Sequence, residues 1–346
     1  ETTQLYEDVK ENHVTELIIY KPLLGIFPEQ VPAPSNDLSY PGGDLSPTSD
    51  LIPLIGRSQE LEQLKRIYEG MRQNGFLTVL TGEAGIGKTR LAHEFLSQLQ
   101  SRGTAILSTQ CYAGESNLTF SPLIDLLRQG IKLSSERKWW QGVNPHLLSE
   151  VSRLLPEFSE IIPDLPNSQL IDGPGAQSRF YEGVCQTLEA MVAGPSPGVL
   201  FIDNLEWADE SSVDLLAYLT RRLKGRPLFL LVSWGSEPSP ATTILEHMLN
   251  DAVLQGSGIR LNLSALSPVQ AQELIERVVN NDEQLSSVLI NRLVEESDGL
   301  PIFLVEYLHA IQSGKISIDL GEEPWPVPSG LRSMLRSRLS SLSDTA

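Results

Sequence analysis

One short segment of the chain combines residue types whose spacing is typical of phosphate binding. Eight consecutive residues fit the pattern G-x-x-x-x-G-K-[ST]: Gly82-Glu83-Ala84-Gly85-Ile86-Gly87-Lys88-Thr89. An apolar run at 76–81 precedes them, and apolar residues at helical spacing follow them. Glycines let successive backbone N–H groups turn inward around phosphate oxygens. The alternative is a glycine-rich turn that binds nothing, but the complete pattern in this context favours a phosphate-binding loop.

The pattern assigns a role to two of its side chains. Lys88 would reach the β- and γ-phosphates of a nucleotide as a point charge, and the hydroxyl of Thr89 would contact Mg²⁺. Asp203 follows the apolar run at 199–202 and is the candidate acid for holding the same metal ion. We expect Asp203 and Thr89 to meet across adjacent strands. The alternative for Asp203 is an acidic cap of the following turn.

Hydrolysis would also need a group that accepts a proton from the attacking water. Many ATPases place a second acid directly after the first, but this chain has Asn204 there, and an amide cannot accept the proton. Glu206 and Asp209 are the nearby carboxylates. Asp209 opens a predicted helix and fits an N-cap better than a catalytic role. Glu206 is therefore the candidate proton acceptor, and the candidate catalytic residues are Lys88, Asp203 and Glu206. The chain contains no N-K-x-D guanine reader, so adenine is the expected base.

The elements that would position these residues alternate between strands and helices. Apolar runs predict five strands, at 76–81, 104–109, 199–202, 228–234 and 259–263. Helices are predicted between them, at 121–128, 145–155, 177–192 and 210–223. This alternation predicts an α/β fold, a P-loop NTPase with a doubly wound parallel sheet. Three further predicted helices, at 269–279, 284–296 and 302–311, form an all-helical lid domain, with Ser267 as the N-cap of the first.

Three more segments resemble the motifs of one protein family. Residues 53–61 are similar to the "hhGRxxEhxxL" entry motif of the STAND class of AAA+-related ATPases. Residues 203–209 (D-N-L-E-W-A-D) resemble the "DDhxWAD" signature of that class, and residues 299–306 resemble its "GxPLFLxE" motif. With the phosphate loop, four motifs occur in order from about residue 52 to the C-terminus. The chain thus resembles a STAND ATPase module.

Two other segments are similar to one subgroup of that class. Residues 1–7 resemble the closing helix of the activator domain in AfsR/SARP-like regulators, and residues 147–157 resemble an insertion of the same subgroup. These proteins are bacterial multidomain transcriptional regulators, with an activator domain or a LuxR-type DNA-binding domain elsewhere in the chain. The resemblance implies a switch that binds ATP or ADP with Mg²⁺ and hydrolyses ATP slowly. It also implies self-association or contact with other domains of the same regulator, and DNA contact only through domains outside this chain.

The resemblance further assigns residues to the nucleotide. Arg57 and the backbone of Leu54 and Ile55 would lie beside the adenine or the ribose. Pro301 would pack on the base from the lid, although the first position of a helix explains this proline as well. The phosphate loop and Arg90, which follows it, would complete the site.

The chain departs from the family pattern at two positions. Asn204 stands where the family often has Asp, and Gly235 stands where it usually has an Arg thought to sense the γ-phosphate. Glycine carries no charge, so both hydrolysis and sensing of the nucleotide state are in question. A module that holds nucleotide without hydrolysing it, as a scaffold for protein partners, is therefore an alternative function.

Changes in composition predict the domain boundaries. Residues 1–20 read as the end of a preceding helical domain, and seven of the 23 prolines fall in or next to a predicted linker at 21–52. The ATPase core would span 53–265 with a helical insertion at about 113–197, and the lid would span 266–327. Residues 328–346 resemble the start of a truncated winged-helix domain. The chain begins at Glu1 rather than Met, so we expect a fragment of a longer protein.

Composition restricts the possible partners. Acidic residues outnumber basic ones 44 to 26, giving a formal net charge of −18 in 346 residues. Such a surface repels phosphate backbones, which disfavours the third candidate function, a DNA-handling ATPase of the origin-recognition type. No apolar stretch approaches the roughly 18 residues of a membrane span. Two cysteines cannot build a disulfide framework, so the cytoplasm is the expected compartment.

Overall fold

The computed structural model describes residues 54–71, 73–134, 138–166, 175–236, 240–279 and 285–312. All of them belong to one unit of the chain, Gly42–Ala346, and a second unit, Glu1–Pro41, lies outside the described residues. The predictions for 1–20, for the linker at 21–52 and for the winged-helix start at 328–346 also fall outside these ranges.

The described residues contain a five-stranded parallel sheet with the order β2-β3-β4-β1-β5. The strands are β1 (Phe76–Gly82), β2 (Ile106–Gln110), β3 (Gly198–Asp203), β4 (Leu228–Gly235) and β5 (Gly258–Asn262). Each predicted strand is confirmed to within two residues at either end. The central strands β3 and β4 are buried along nearly their whole length, and they are mostly apolar because helices cover both faces of the sheet. The predicted fold class, a P-loop NTPase with a parallel sheet and a helical C-terminal region, is confirmed.

Asp203 and Thr89 do meet, as expected, but the expectation that their strands are adjacent is wrong. The strand that ends at Asp203, β3, does not pair with β1, because β4 lies between them and pairs with both. Hydrophobic patterning specifies that a strand is buried but not which strand lies beside it. As a consequence, the carboxyl end of β4 lies between Asp203 and the phosphate loop.

Helices connect the strands and continue beyond the sheet. In the described residues they are α1 (Ser58–Gly70), α2 (Lys88–Gln100), α3 (Ser121–Leu133), α4 (Pro145–Val151), α5 (Phe158–Ile161), α6 (Ala176–Val192), α7 (Glu210–Thr220), α8 (Pro240–Leu254), α9 (Pro268–Val278), α10 (Ser287–Ser297) and α11 (Pro301–Gln312). Two 3₁₀ turns accompany them, Trp139–Gly142 and Leu205–Trp207. The patterns did not predict α1, α5 or α8, and the helix expected at 145–155 ends at Val151. The remaining predicted helices are confirmed, with shifted ends.

The two faces of the sheet contribute to two separate hydrophobic clusters. Val199 and Phe201 of β3 join the cluster that contains the buried face of α2, whereas Leu200 and Ile202 join the cluster formed with α3, α6 and α7. Side chains alternate between the faces of a strand, so one apolar run supplies both clusters. The result is a rigid layer that fixes where the carboxyl ends of the strands meet.

The three C-terminal helices pack on one another around a third cluster, which includes Leu274, Leu293 and Leu304. The first of them, α9, begins at a capping box: the Ser267 side chain accepts a hydrogen bond from the Gln270 N–H, and the Gln270 side chain accepts one from the Ser267 N–H. The predicted N-cap at Ser267 is therefore confirmed.

Candidate nucleotide site

The phosphate loop connects the end of β1 to the start of α2, and its backbone requires glycine. Gly82, Gly85 and Gly87 have φ angles of 146°, 81° and 100°, in a region that side chains with a Cβ rarely adopt. Gly87 is the N-cap of α2, so the first free N–H groups of a 13-residue helix open directly onto the loop. This geometry presents backbone donors and the positive end of a helix dipole to an anion.

The Lys88 ammonium lies over this loop. Its Nζ donates hydrogen bonds to the carbonyl oxygens of Gly82 and Glu83, at 2.9 and 3.1 Å. The side chain is almost fully buried, so its charge is held close to the loop backbone. A phosphate group bound in the loop would offer stronger, charged acceptors to the same ammonium.

The two candidate metal ligands touch each other. The Thr89 hydroxyl donates a hydrogen bond of 2.7 Å to Asp203 Oδ2. This contact forms although β4 lies between β3, which ends at Asp203, and β1, which leads into the phosphate loop. Mg²⁺ prefers hard oxygen ligands and commonly takes only one or two from the protein, with phosphates and water completing its shell. A hydroxyl and a carboxylate in contact beside a phosphate loop match that requirement. The residues present therefore fit a Mg²⁺ ion.

Glu206 lies in the 3₁₀ turn after β3, and β4 holds its carboxylate. Its Oε1 accepts a hydrogen bond of 2.8 Å from the Gly235 N–H, and its Oε2 is buried and makes no hydrogen bond. Burial is the largest effect on this group and raises its pKa. The nearby charge of Asp203 raises the pKa further, whereas backbone N–H donors and Lys88 lower it. The carboxylate is thus close enough to Lys88 and Asp203 to interact with both electrostatically.

Asn204 adopts a left-handed conformation with φ of 55°, which Asn and Asp tolerate better than most other residues that carry a Cβ. The N–H of Asn204 donates to the Ser233 hydroxyl at 3.0 Å.

Asp209 lies directly before α7. Its carboxylate accepts a hydrogen bond from the Ser212 N–H at 3.0 Å, as an N-cap does. The capping interpretation of Asp209 is therefore confirmed.

The start of α11 contacts the phosphate loop at Gly85. Pro301 is the first residue of this helix, and the N–H of Ile302 donates to the Gly85 carbonyl at 3.3 Å. A Cβ on Gly85 would lie 2.3 Å from the Ile302 side chain, so glycine is needed here for close packing as well. The helical region and the phosphate loop are thus in direct contact.

Arg57 joins three parts of the chain and is 3% exposed. Its guanidinium donates to the carbonyl of Ile86 at 3.0 Å and to the carbonyl of Ser264 at 2.7 Å, and it pairs with Glu60 at 3.3 Å. One side chain therefore ties the phosphate loop to the segment that follows β5. Its predicted contact with adenine or ribose stays a prediction.

The remaining predicted contacts surround this centre. Leu54 packs against the cluster beneath α2, whereas Ile55 packs against the cluster of the helical region, so the entry segment spans the two. Arg90 lies one residue after the loop, on the first turn of α2, and its guanidinium is 3.5 Å from the Glu94 carboxylate. The loop residues Glu83 and Ala84 lie at its tip, where Glu83 is exposed.

Three further residues belong to this site that the sequence motifs do not indicate: Ser233, Ile302 and Ser264. Ser233 contacts Asp203 through its side chain. Ile302 contacts the loop through its N–H and its side chain, and Ser264 contacts Arg57 through its carbonyl. Residue types do not reveal such backbone contacts. Ser233 lies two residues before Gly235, a position already singled out. A buried hydroxyl residue in an otherwise apolar strand was the available signal.

A family model described as "AAA ATPase domain" matches residues 53–232, more than half of the chain. The chain therefore belongs to the AAA ATPase domain family. The match includes the phosphate loop, Asp203, the strands β1 to β3 and the first five residues of β4.

Two curated proteins are also similar in sequence. An uncharacterized protein of Rhizobium meliloti is 25% identical over 305 residues, which cover 84% of this chain and 28% of that protein. A protein of Sinorhizobium fredii, named as a transcriptional regulatory protein, is 30% identical over 69 residues, 20% of this chain and 11% of its own length. This chain therefore spans less than a third of the curated relatives it matches.

Among solved structures, a STAND protein with a tetratricopeptide repeat sensor from Pyrococcus horikoshii is similar. It has 16% identity and a TM-score of 0.40, covering 72% of this chain and 29% of that protein.

Within the described residues of this chain, no helix is both long and apolar enough to cross a membrane.

Proposed function

We propose that this chain is the nucleotide-binding switch module of a signal-responsive transcriptional regulator, which binds ATP or ADP with Mg²⁺ and hydrolyses ATP slowly. The observation that carries the proposal is the 2.7 Å hydrogen bond between Thr89 and Asp203 beside a phosphate loop of the complete pattern. The two metal-ligand candidates lie 114 residues apart in the sequence, and a turn that binds nothing would not require them to meet.

In this proposal each part of the site has one task. The backbone N–H groups between Gly82 and Thr89 bind the phosphates, and Lys88 neutralises the charge of the β- and γ-phosphates. Thr89 and Asp203 would hold Mg²⁺, which when bound supplies positive charge against the phosphate oxygens. The entry segment with Arg57, and Pro301 at the start of α11, enclose the base and the ribose.

Glu206 is the candidate group for accepting a proton from the attacking water. Asn204 cannot do so, and a general base contributes about 10²–10⁴ in rate. Glu206 is not in the usual position for this acid, and its carboxylate is engaged by the Gly235 N–H. We therefore expect ATP hydrolysis well below about 1 s⁻¹, the low end of typical enzymes.

The switch would act through the contact between the phosphate loop and α11. A nucleotide can shift the balance between two conformations only if it contacts them differently. The loop that would hold the β- and γ-phosphates is also hydrogen-bonded to Ile302 at 3.3 Å. A γ-phosphate that changes the geometry of Gly85 would therefore change how the helical region docks.

The regulatory setting rests on resemblance. The chain resembles STAND modules in its motifs, and the short match to the Sinorhizobium fredii protein, whose name describes a transcriptional regulator, is consistent with that setting. We propose a cytoplasmic location, self-association or contact with other domains of the same regulator, and DNA contact only outside this chain. We propose the domain boundaries as stated: a core at 53–265, a lid at 266–327, and parts of other domains at either end.

Amide hydrogen exchange of the chain with no nucleotide, with ADP and with ATP–Mg²⁺ tests the switch. We expect both nucleotides to protect the phosphate loop, and the start of α11 to exchange at different rates in the ATP and ADP forms. If α11 exchanges equally in both forms, the chain binds nucleotide but does not act as a switch through this contact. No protection of the loop by either nucleotide would contradict binding itself.

Asn204 and Gly235 favour a second candidate, a scaffold that holds nucleotide without hydrolysing it. Single-turnover measurements with protein in excess distinguish the two, because the scaffold would show no product above the uncatalysed rate.

The DNA-handling alternative predicts micromolar or tighter binding of duplex DNA in about 150 mM salt. We expect no such binding because the chain carries a net charge of −18.

A further inference from the structure

The strand inserted between β3 and β1 brings a side chain to the candidate metal site that the proposed function does not use. Ser233, the sixth residue of β4, is fully buried. Its hydroxyl donates a hydrogen bond to Asp203 Oδ1 and accepts one of 3.0 Å from the Asn204 N–H. Ser233 therefore contacts both residues at the point where β3 turns away from the sheet.

Asp203 is consequently held through both of its oxygens. Oδ1 accepts from Ser233, and Oδ2 accepts from Thr89 at 2.7 Å. The carboxylate is 1% exposed, so protein hydroxyls replace the water that would otherwise solvate it. Two donors on different elements fix the orientation of the carboxylate, because rotation about its side-chain bonds would break one bond or the other.

We propose that Ser233 is a positioning residue for the metal site: it orients the Asp203 carboxylate toward Thr89 and thereby sets the affinity for Mg²⁺ in the nucleotide complex. Ser233 does not touch the nucleotide in this proposal and acts only through Asp203. The inference rests on the proposed nucleotide–Mg²⁺ site. Loss of a group that orients a metal ligand commonly costs about 10- to 100-fold in metal affinity.

The test measures binding of a fluorescent ATP analogue as a function of Mg²⁺ concentration for the wild type and Ser233→Ala, and again with the metal chelated. For Ser233→Ala we expect the Mg²⁺ concentration at half-maximal effect to rise about tenfold or more. Without metal, the affinity for the analogue should match that of the wild type. Ser233→Thr retains the hydroxyl and should restore the wild-type Mg²⁺ dependence.

Ser212→Ala is the matched control. Ser212 is also fully buried, and its hydroxyl donates to a buried carboxylate, Asp209 Oδ2, at 2.5 Å. This pair caps α7 and takes no part in the proposed site. Removing its hydroxyl should lower the melting temperature but leave the Mg²⁺ dependence unchanged. If Ser233→Ala does not fold, Ser233→Cys keeps the size of the side chain with a weaker donor and should give an intermediate shift.

Two negative outcomes have different meanings. If Mg²⁺ strengthens binding to the wild type and to Ser233→Ala at the same concentration, Ser233 is only a structural residue and the inference is overturned. If Mg²⁺ does not affect binding to the wild type at all, the proposed metal site fails, and the role of Ser233 fails with it.

Discussion

The two halves of the candidate site differ in how closely they match the pattern that predicted them. The half built on β1 and α2 is complete: three glycines with positive φ, a buried Lys88, and Thr89 bonded to Asp203. The half built on the segment after β3 and the end of β4 departs from the STAND motifs that the chain resembles, with Asn204 and Gly235 at the positions where the resemblance leads us to expect an acid and an arginine. The first half would bind, and the second would carry out the chemistry.

Both positions of the second half make defined backbone contacts. Asn204 adopts the left-handed conformation that Asp also tolerates. The Gly235 N–H still donates to a carboxylate, that of Glu206. This half lacks an acid at Asn204 and an arginine at Gly235, but it keeps the carboxylate of Glu206 and its hydrogen bond. Binding and hydrolysis should therefore be separable by substitution, and each prediction below tests that separation.

The largest effect is expected for Lys88→Ala. Without the ammonium, the charge of the β- and γ-phosphates is not neutralised, and ATP binding should be abolished. Saturating ATP–Mg²⁺ at about 100 times Kd should stabilise the wild type by about 2.7 kcal/mol against unfolding and the variant not at all. Thermal denaturation with and without nucleotide measures the difference.

Lys132→Ala serves as the control for this measurement, because Lys132 is an exposed lysine on α3. It should show the same nucleotide-dependent shift as the wild type. An equal shift for the wild type and for Lys88→Ala would contradict the assignment of the phosphate loop as the binding site.

The second prediction concerns Glu206→Gln, which should leave binding intact and slow hydrolysis. The glutamine carbonyl can still accept the hydrogen bond from Gly235, but an amide cannot take a proton. Single-turnover rates should fall by about 10²-fold or more. A variant that hydrolyses ATP at the wild-type rate would show that another group is the base and would remove Glu206 from the catalytic set.

The same carboxylate predicts the pH dependence of the wild type. Burial raises the pKa of Glu206 above its ordinary value of 4.5, so the protonated form, which cannot act as a base, persists to a higher pH than for an exposed glutamate. The single-turnover rate should therefore fall as pH decreases through this raised pKa, while nucleotide is still bound. The Glu206→Gln variant should lack this part of the profile.

Sequence patterns predicted the layers of this molecule better than the contacts between them. The strands β3 and β4 were found because each contains an apolar run, 199–202 and 228–232, and the buried face of α2 was found from Leu91 and Phe95. The helix α1 was missed because it buries only Leu64 and Tyr68. The helix α8 was missed because Val253 and Leu254 are exposed, which obscures its amphipathic pattern.

The candidate site shows the same limit. The sequence placed Thr89 and Asp203 in one site and after the correct strands, but it predicted that those strands are adjacent. Strand order depends on long-range packing, which the pattern does not contain. Once β4 is known to lie between them, the contacts of Ser233 and Gly235 follow from its position. Neither contact could be inferred from a pattern that treats each strand separately.

A third prediction restores the missing acid. Asn204→Asp is compatible with the left-handed backbone, so the fold should be unaffected. A second carboxylate beside the phosphate site should raise the single-turnover rate by about tenfold, which corresponds to about 1.4 kcal/mol of barrier. Asn204→Ser, which adds no base, should leave the rate unchanged. If the aspartate variant is no faster than the wild type, the slow step is not limited by the missing acid.

The smallest effect is expected for Gly235→Arg, which tests whether the missing arginine limits discrimination between nucleotides. Gly235 pairs with Gly82, the first residue of the phosphate loop, so its side chain would start beside the site. The backbone N–H that holds Glu206 is unaffected by the substitution. A guanidinium there can pair with a γ-phosphate that ATP has and ADP lacks, and the preference for ATP should widen by about threefold to tenfold, or roughly 0.7–1.4 kcal/mol. Gly235→Gln, which is long and polar but uncharged, should leave the ratio of the two Kd values unchanged. If the glutamine variant widens the preference equally, the effect comes from the size of the side chain. The missing arginine charge would then not be what limits discrimination between ATP and ADP.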